Sequence, residues 1–324
     1  MSRCLVIFHK QLGDLILLEP VLRRLARANG HSVDLITRSG FQPLSSLMPY
    51  INFRSKPSAR IYDALWCFDD RQKSAFYSFI SRAQQKRLLI NPDASIQWFH
   101  PRIFQTVLTP SLGRSHISEY YWKYAFAGNC AGFQPPELAP PPKHWACPIS
   151  SRNYLHVNPT SGWRSKSWTA EKWATTINRL IEHGIGPIVM TSGAQSWQKE
   201  HCTAICHKLI QPIECIAGET SMRHYLWIIW NAKAVLTVDG SASHIAAAFR
   251  RKCLTLFGHT NAACWHRETE YSRAVITGNV IGAHLPRLVL LPHEPVIEAF
   301  VKLWNNVDPA QVMLRSSRLA EGPF

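Results

Sequence analysis

The chain lacks a long apolar run, a paired set of cysteines and an excess of acidic residues. No uninterrupted apolar stretch approaches the ~20 residues that a membrane-spanning helix needs. The short apolar run at the N-terminus is interrupted by Lys10, Gly13 and Asp14, which is unlike a secretion signal. The nine cysteines are odd in number and scattered, so we expect a reduced, cytoplasmic protein rather than a disulfide scaffold.

The composition indicates a globular protein with an anionic partner. The 324 residues suggest about two domains, and 46% hydrophobic content with 12 tryptophans excludes a disordered chain. Lysine and arginine exceed the acids by 36 to 21, which gives a net charge of +15. Because a zinc finger, an RNA-recognition signature and a long basic tail are all missing, we expect no nucleic-acid partner and favour an anionic membrane surface. The alternative is that the charge only keeps the protein soluble.

The hydrophobic pattern alternates between strands and helices along most of the chain. In the first half it predicts strands over 3–9, 32–37, 64–68 and 87–90, with helices over 15–29 and 118–127. In the second half it predicts strands over 153–157, 187–191, 213–216, 234–239 and 253–258, with helices over 169–183, 195–210, 221–232 and 294–306. The proline-rich stretch 133–142 is predicted as a linker. We therefore expect an α/β protein with two Rossmann-like, doubly wound domains, 1–142 and 143–324, that face a central cleft.

Asp239 ends a predicted apolar strand and precedes a turn of small residues, from Gly240 to Ser243, before a helix that carries His244. Free backbone N–H groups at a helix start bind phosphate readily, and ligands of open parallel sheets lie at the carboxyl ends of the strands. The turn is therefore a candidate nucleotide site, with Asp239 as a simple helix cap as the alternative.

Three other segments follow strands in the same way. Asp14 follows the first strand and could serve as a general base or merely as a helix N-cap. Lys166 lies in a basic loop before a helix, where it could bind a diphosphate or simply be solvated. Thr220 and Ser221 open another helix after a strand. The pair Cys202 and Cys206 lacks a second ligand pair at zinc-site spacing, so no metal site is predicted.

Taken in order, these motifs resemble those of the lipopolysaccharide heptosyltransferases, the ADP-heptose-dependent glycosyltransferases of family 9 with the GT-B fold. The matching segments are Leu12-Gly13-Asp14, Lys166-x-Trp168, Gly218-Glu-Thr-Ser221, Val238-Asp239-Gly240, His244-x-Ala-Ala247 and Phe257-Gly-x-Thr260. The resemblance spans about residues 1–300 and implies inverting transfer of heptose from ADP-heptose to the lipopolysaccharide inner core.

The resemblance also implies a role for each matching residue. Asp14 corresponds to the proposed general base, and Lys10 and Gly13 beside it are expected to contact the acceptor. The residues expected to contact the donor are Lys166, Thr220, Ser221, Asp239, Gly240, Ser241 and His244. No cofactor is expected to be required, although a divalent ion could assist. The implied acceptor is the inner-core and lipid A part of lipopolysaccharide, which places the enzyme at the cytoplasmic face of the inner membrane.

Two departures from the family pattern leave the donor open. The family reads Asp-Ser/Thr-Gly where this chain has Asp239-Gly240-Ser241, and His259 replaces the usual proline after Phe-Gly. The alternatives are therefore a GT-B transferase that uses another nucleotide sugar, and a non-catalytic nucleotide-sugar-binding protein. A nucleic-acid-binding protein is supported by charge alone, and its binding would fall steeply with salt.

Overall fold

Two parallel six-stranded sheets form the framework of the computed structural model. The structure describes residues 3–30, 32–90, 95–108, 115–126, 128, 130–146, 149–277 and 287–305. The strands of the first sheet run in the order β3-β2-β1-β4-β5-β6, and those of the second in the order β12-β11-β10-β7-β8-β9. In both sheets the order reverses beside the first strand along the chain, which creates a switch point where ligands of such folds bind.

The first sheet belongs to the N-terminal half. Its strands are β1 Cys4–Ile7, β2 Val33–Ile36, β3 Ile51–Arg54, β4 Ile61–Cys67, β5 Arg82–Leu89 and β6 Thr106–Leu108. Its helices are α1 Leu12–Ala28, α2 Gln72–Ile80, α3 His100–Ile103 and α4 Ile117–Ala125. Both β1 and β2 are buried along their whole length, as expected for central strands covered on two faces.

The second sheet belongs to the C-terminal half. Its strands are β7 Leu155–Asn158, β8 Ile188–Met190, β9 Glu214–Cys215, β10 Ala234–Val238, β11 Lys252–Phe257 and β12 Ser272–Ile276. Its helices are α5 Ala170–Glu182, α6 Ser196–Cys206, α7 Met222–Asn231, α8 Ser241–Ala248, α9 Ala262–Trp265 and α10 Glu294–Asn305. Thr169 and Ser221 cap α5 and α7 by accepting the N–H groups of Lys172 and His224. Among the described helices, none has both the length and the apolar content to cross a membrane.

The two halves share a continuous apolar interface. Buried side chains of α1 and α4 belong to one cluster with those of α7 and α8, including Leu17, Tyr121 and Ile245. The proline-rich stretch 133–142 is irregular, as predicted, and is hydrogen-bonded to both halves. The Leu138 N–H donates to the carbonyl of Ala248, 3.1 Å away, and the next N–H donates to the carbonyl of Leu47. The linker therefore lies fixed along the interface.

The α/β class and the alternation of strands and helices are confirmed, while some boundaries are wrong. The first helix begins at Leu12 rather than Leu15, and its N-cap is Gln11, so the alternative that Asp14 is only a cap is wrong. Strands β3, β6 and β12 and helix α2 were not predicted. The division at residues 142 and 143 stays a prediction.

Candidate active site between the two domains

An ion pair between Lys166 and Asp239 marks the carboxyl edge of the second sheet. The Lys166 Nζ lies 2.5 Å from Asp239 Oδ2, and the hydroxyl of Thr260 donates to the same oxygen from 2.8 Å. Asp239 is almost fully buried, so this carboxylate is held by its partners rather than by water. Gly240, not Asp239, is the N-cap of α8, and the alternative that Asp239 caps the helix is therefore wrong.

Beside this pair a cavity of about 270 Å³ opens along the carboxyl edge of the sheet. Loops after β7, β8 and β9 and the start of α8 contribute to its lining, which is rich in hydroxyl groups and glycines. Its lining residues include Thr160, Ser161, Gly193, Thr220, Ser221 and Ser241. Leu12 of the N-terminal domain closes it from the opposite side. A polar cavity between two domains at a switch point has the chemistry of a nucleotide site.

The predicted donor residues Thr220, Ser221 and Ser241 therefore lie at one cavity. They come from segments that follow β9 and β10, which are separated in the sheet by β7 and β8. Ser241, the hydroxyl displaced by one position relative to the family pattern, lines the cavity together with Tyr225. Tyr225 also accepts from the side-chain amide of Asn158 at 3.0 Å, and burial raises the pKa of its phenol to about 12. The displaced hydroxyl is thus part of the cavity wall.

The second departure, His259, lies beside the basic loop. Its Nε2 is 3.5 Å from the hydroxyl of Ser165, next to Lys166. Gly240 packs close to Ser161, since a Cβ at Gly240 would lie 3.3 Å from the Cβ of Ser161. Both changes relative to the family pattern therefore lie around the cavity and the Lys166–Asp239 pair.

Asp14 lies in the first turn of α1, on the N-terminal wall of the cleft. Burial raises the pKa of its carboxyl group, and the positive charges of Lys10 and Lys166 and the N–H of Gln11 oppose that rise. Lys166 belongs to the other domain, and its positive charge acts on Asp14 across the cleft. The cleft therefore has a carboxylate on its N-terminal wall and a cation on its C-terminal wall. Asp14 thus has the setting of a base whose proton affinity is raised toward neutral pH.

Lys10 lies in the loop before α1 and is buried. Burial lowers the pKa of its ammonium group, and the negative charge of Asp14 opposes this. Its Nζ is 3.4 Å from the hydroxyl of Tyr121, and it also lies over the rings of Phe8 and Tyr121. Lys10 therefore lies between aromatic rings and the Asp14 carboxylate.

Gly13 and His244 meet across the domain interface. A Cβ at Gly13 would lie 2.7 Å from Cδ2 of His244, so only glycine leaves room for the His244 ring in this position, whereas its distance to the Cα of Ser241, 3.5 Å, is ordinary contact. The His244 ring is buried, and this burial lowers its pKa to about 4. Both residues predicted to contact substrates therefore also form the contact between the two domains.

A cluster of further polar side chains extends this interface. Burial lowers the pKa of His116, at the start of α4, to about 3, and the neighbouring His244 and His266 contribute. Glu119 of α4 forms an ion pair with Arg267 of the C-terminal domain. Neutral histidines and one ion pair thus lie between the domains.

Sequence reasoning missed two polar residues on the N-terminal wall. Arg38 follows β2 and donates to the carbonyl of His9 at 2.9 Å, within the field of Asp14. Asp69 follows β4 and accepts the N–H groups of His9 and Arg71 at 2.5 and 3.0 Å. Both come directly after predicted apolar strands, so the strand-end rule that selected Asp14 also points to them.

The metal prediction is not tested by the structure. Within the described ranges, no group of three or more His, Cys, Asp or Glu side chains is arranged to hold a metal ion. Cys202 is buried in α6 and Cys206 is partly buried on the same helix. Both belong to the apolar cluster of the second domain.

The sequence matches a known family of enzymes. Residues 125–284 match the model of glycosyltransferase family 9, described as heptosyltransferase. A protein named lipopolysaccharide heptosyltransferase 3 from Escherichia coli K12 is 28% identical over 160 residues, which cover 47% of this chain and 46% of that protein. Another protein of that name from Escherichia coli is 23% identical over 303 residues, covering 80% and 83% of the two chains.

The fold matches as well. The structure of the ADP-heptose lipopolysaccharide heptosyltransferase II of Escherichia coli superimposes with a TM-score of 0.79 at 18% identity. The match covers 94% of this chain and 98% of that one. The predicted GT-B arrangement of two Rossmann-like domains is therefore confirmed.

Proposed function

We propose that this chain, a glycosyltransferase similar to family 9, the heptosyltransferases, transfers heptose from ADP-heptose to the lipopolysaccharide inner core with inversion at the anomeric carbon. The observation that carries the proposal is the placement of Asp14 on one wall of the cleft within the field of Lys166, which is paired with Asp239 on the other. A transferase needs a base at the acceptor and positive charge at the leaving diphosphate, and the two walls supply one each.

The donor would lie in the cavity of the C-terminal domain. The hydroxyl groups of Ser161, Thr220 and Ser221 line it, and they are suited to the ribose and phosphate oxygens of a nucleotide. Lys166 would contact the diphosphate at the edge of the cavity. The pairing with Asp239 orients the Lys166 ammonium group before the donor arrives, which reduces the reorganisation needed in the transition state.

The acceptor would approach along the N-terminal wall. Asp14 would take the proton of the acceptor hydroxyl as the oxygen attacks the anomeric carbon and the bond from that carbon to the diphosphate oxygen breaks. Attack from the wall opposite the leaving group inverts the configuration. Lys10 and Arg38 would attract an anionic acceptor to this wall. Since Lys166 supplies positive charge at the leaving group, the proposed reaction includes no cofactor.

The net charge of +15 supports a site of action at an anionic membrane surface. We place the enzyme at the cytoplasmic face of the inner membrane, because ADP-heptose is a soluble nucleotide and the acceptor is a lipid. This placement also accounts for the excess of lysine and arginine over acidic residues.

A second candidate is a GT-B transferase with a different nucleotide sugar, and one observation favours it. Ser241 and His259, which depart from the family pattern, both lie around the donor cavity and the Lys166 loop. A non-catalytic binding protein is the weaker alternative, because a binding role alone does not require Asp14 opposite the Lys166–Asp239 pair.

Turnover with a panel of donors and acceptors tests the proposal. ADP-heptose, ADP-glucose and UDP-sugars are each incubated with lipopolysaccharide acceptors truncated before and after each core heptose, and the products are read by mass spectrometry. We expect heptose addition from ADP-heptose to at least one acceptor. Transfer from a different donor would establish the second candidate, and nucleotide-sugar binding without any transfer would support the non-catalytic alternative.

A further inference from the structure

Helix α2 has its amphipathic pattern reversed. Its buried residues are small, namely Ser74, Ala75 and Ser78, whereas the large apolar side chains point outward. Phe76 is 58% exposed and Phe79 is 65% exposed. A helix at the surface of a soluble protein normally buries its aromatic residues and exposes its polar ones, so this helix is built to present its apolar face to a partner.

A second exposed apolar segment lies next to α2. Trp98 is 74% exposed and Ile96 is 51% exposed, and both precede α3, which packs against α2. The guanidinium carbon of Arg102 lies 4.8 Å from the centre of the Trp98 ring. We call the exposed apolar side chains of these two segments the aromatic surface, and its members are Phe76, Phe79, Ile80, Ile96 and Trp98.

Positive charge predominates in the segment that carries the aromatic surface. Between residues 71 and 108 the sequence has six cations and one acid, namely Arg71, Lys73, Arg82, Lys86, Arg87 and Arg102 against Asp93. Lys73 lies one helical turn before Phe76, and Arg82 is exposed just beyond the end of α2. Aromatic rings flanked by lysine and arginine fit the interface of a bilayer with anionic headgroups, where the rings enter the headgroup layer and the cations bind phosphate.

The aromatic surface is connected to the acceptor wall. The Nδ1 of His9, beside Lys10, is 2.8 Å from the hydroxyl of Ser74 on the inner face of α2. The His9 ring also packs edge-on against Tyr77, at 5.6 Å between ring centres. Helix α2 therefore contacts the loop that carries Lys10 and leads into α1 and Asp14.

We propose that the aromatic surface is the membrane-docking site of this enzyme and that its occupant is an anionic phospholipid bilayer. Phe76, Phe79 and Trp98 enter the interfacial layer, while the surrounding cations bind the headgroups. The inference rests on the proposed function in one respect. A lipid-linked acceptor is the reason why the enzyme would meet a bilayer. Because part of the binding is apolar, salt weakens it without abolishing it, unlike binding by charge alone.

Vesicle co-sedimentation of the full chain without substrates tests the docking site. The vesicles contain phosphatidylcholine alone or phosphatidylcholine with phosphatidylglycerol, and the variant is Phe76→Ser with Phe79→Ser. Both side chains are exposed, so the fold should survive, which circular dichroism checks. The matched control replaces two exposed apolar residues of the other domain, Ile210→Ser with Leu290→Ser, each 65% exposed in the wild type.

We expect the wild type to bind the anionic vesicles and the α2 variant to bind them ~10-fold or more weakly, as loss of two aromatic side chains from an apolar layer implies. The control should bind like the wild type. Equal binding by the α2 variant, or an equal loss in the control, would overturn the proposal. A concentration-dependent dimer in sedimentation velocity that the α2 variant abolishes would assign the aromatic surface to a second copy of the chain instead.

The same variants separate docking from catalysis. The α2 variant should transfer sugar to a water-soluble truncated acceptor at the wild-type rate and lose activity only on an acceptor embedded in vesicles. If no donor supports transfer at all, the proposed function fails while the vesicle result still decides the docking site.

Discussion

Gly13 and His244 fill the same small space between the two domains, since a methyl group on Gly13 would lie 2.7 Å from Cδ2 of the His244 ring. The ring is buried. The start of the helix that carries the candidate base thus leaves room for a ring from the helix that follows Asp239. Asp14 is the next residue after Gly13, so a shift of this contact would move it relative to the cavity.

Gly13→Ala should therefore disturb both stability and catalysis. Forcing a methyl group into a packed contact costs about 1–3 kcal/mol, so we expect a lower melting temperature and a slower transfer. In a His244→Ala background the space exists, and the same substitution should cost much less. A thermal-melt double-mutant cycle measures this coupling, and equal costs in both backgrounds would show that the contact does not constrain the interface.

Lys166→Ala should weaken ADP binding. It removes the cation proposed to contact the diphosphate. It also leaves the buried Asp239 carboxylate with Thr260 as its remaining partner in the described contacts, so negative charge would face the ligand. Loss of a hydrogen bond to a charged group is worth ~10-fold or more in affinity. Isothermal titration with ADP measures the change, and Lys208→Ala serves as the control because Lys208 pairs with Glu171 outside the cavity. An unchanged ADP dissociation constant would remove Lys166 from the donor site.

Stability should fall in mildly acidic solution because of the interface histidines. Burial lowers the pKa of His244 from 6.5 to about 4, so between these values the unfolded chain binds a proton that the folded chain does not. The free energy of unfolding therefore decreases as pH falls through this window. His244→Gln should reduce the slope of stability against pH, measured by urea unfolding at several pH values. An identical slope in the variant would mean that His244 does not titrate as the structure implies.

The architecture could be predicted from the sequence because its signals are local. Apolar runs such as Ala234–Val238, followed by turns and helices, gave both the α/β class and the strand ends at which the candidate site lies. The pairing of Lys166 with Asp239 joins residues 73 positions apart, so the strand-end rule predicted only that they share an edge, not that they touch.

The elements and contacts that the sequence did not predict have physical reasons in common with their positions in the fold. Edge strand β3 reads Ile-Asn-Phe-Arg and is only partly buried, so it lacks the apolar run of a central strand. Helix α2 was not predicted because its aromatic residues face outward, whereas a surface helix usually buries its apolar residues. The Gly13–His244 contact depends on how two domains dock, which no local pattern encodes.

The pH dependence of transfer should reflect the carboxyl group of Asp14. Burial raises its pKa above the ordinary value of 3.8, and a base must be deprotonated to act. The rate should therefore fall on the acidic side, with its midpoint above that ordinary value, and rates measured from pH 4 to 8 on a soluble acceptor give the midpoint. A rate that stays constant down to the ordinary carboxyl range would contradict the burial of Asp14 in the working enzyme.

The most direct test of the two-wall arrangement is the turnover of Asp14→Asn, measured together with its affinity for ADP-heptose. Asparagine keeps the size of aspartate and can accept the N–H of Gln11, so the helix start should survive. If Asp14 is the base and the donor is held by the other domain, turnover falls by ~10²–10⁴ while the donor dissociation constant barely changes. Turnover that stays intact in a variant with a lowered melting temperature would contradict the account and leave Asp14 as a residue that only stabilises the start of α1.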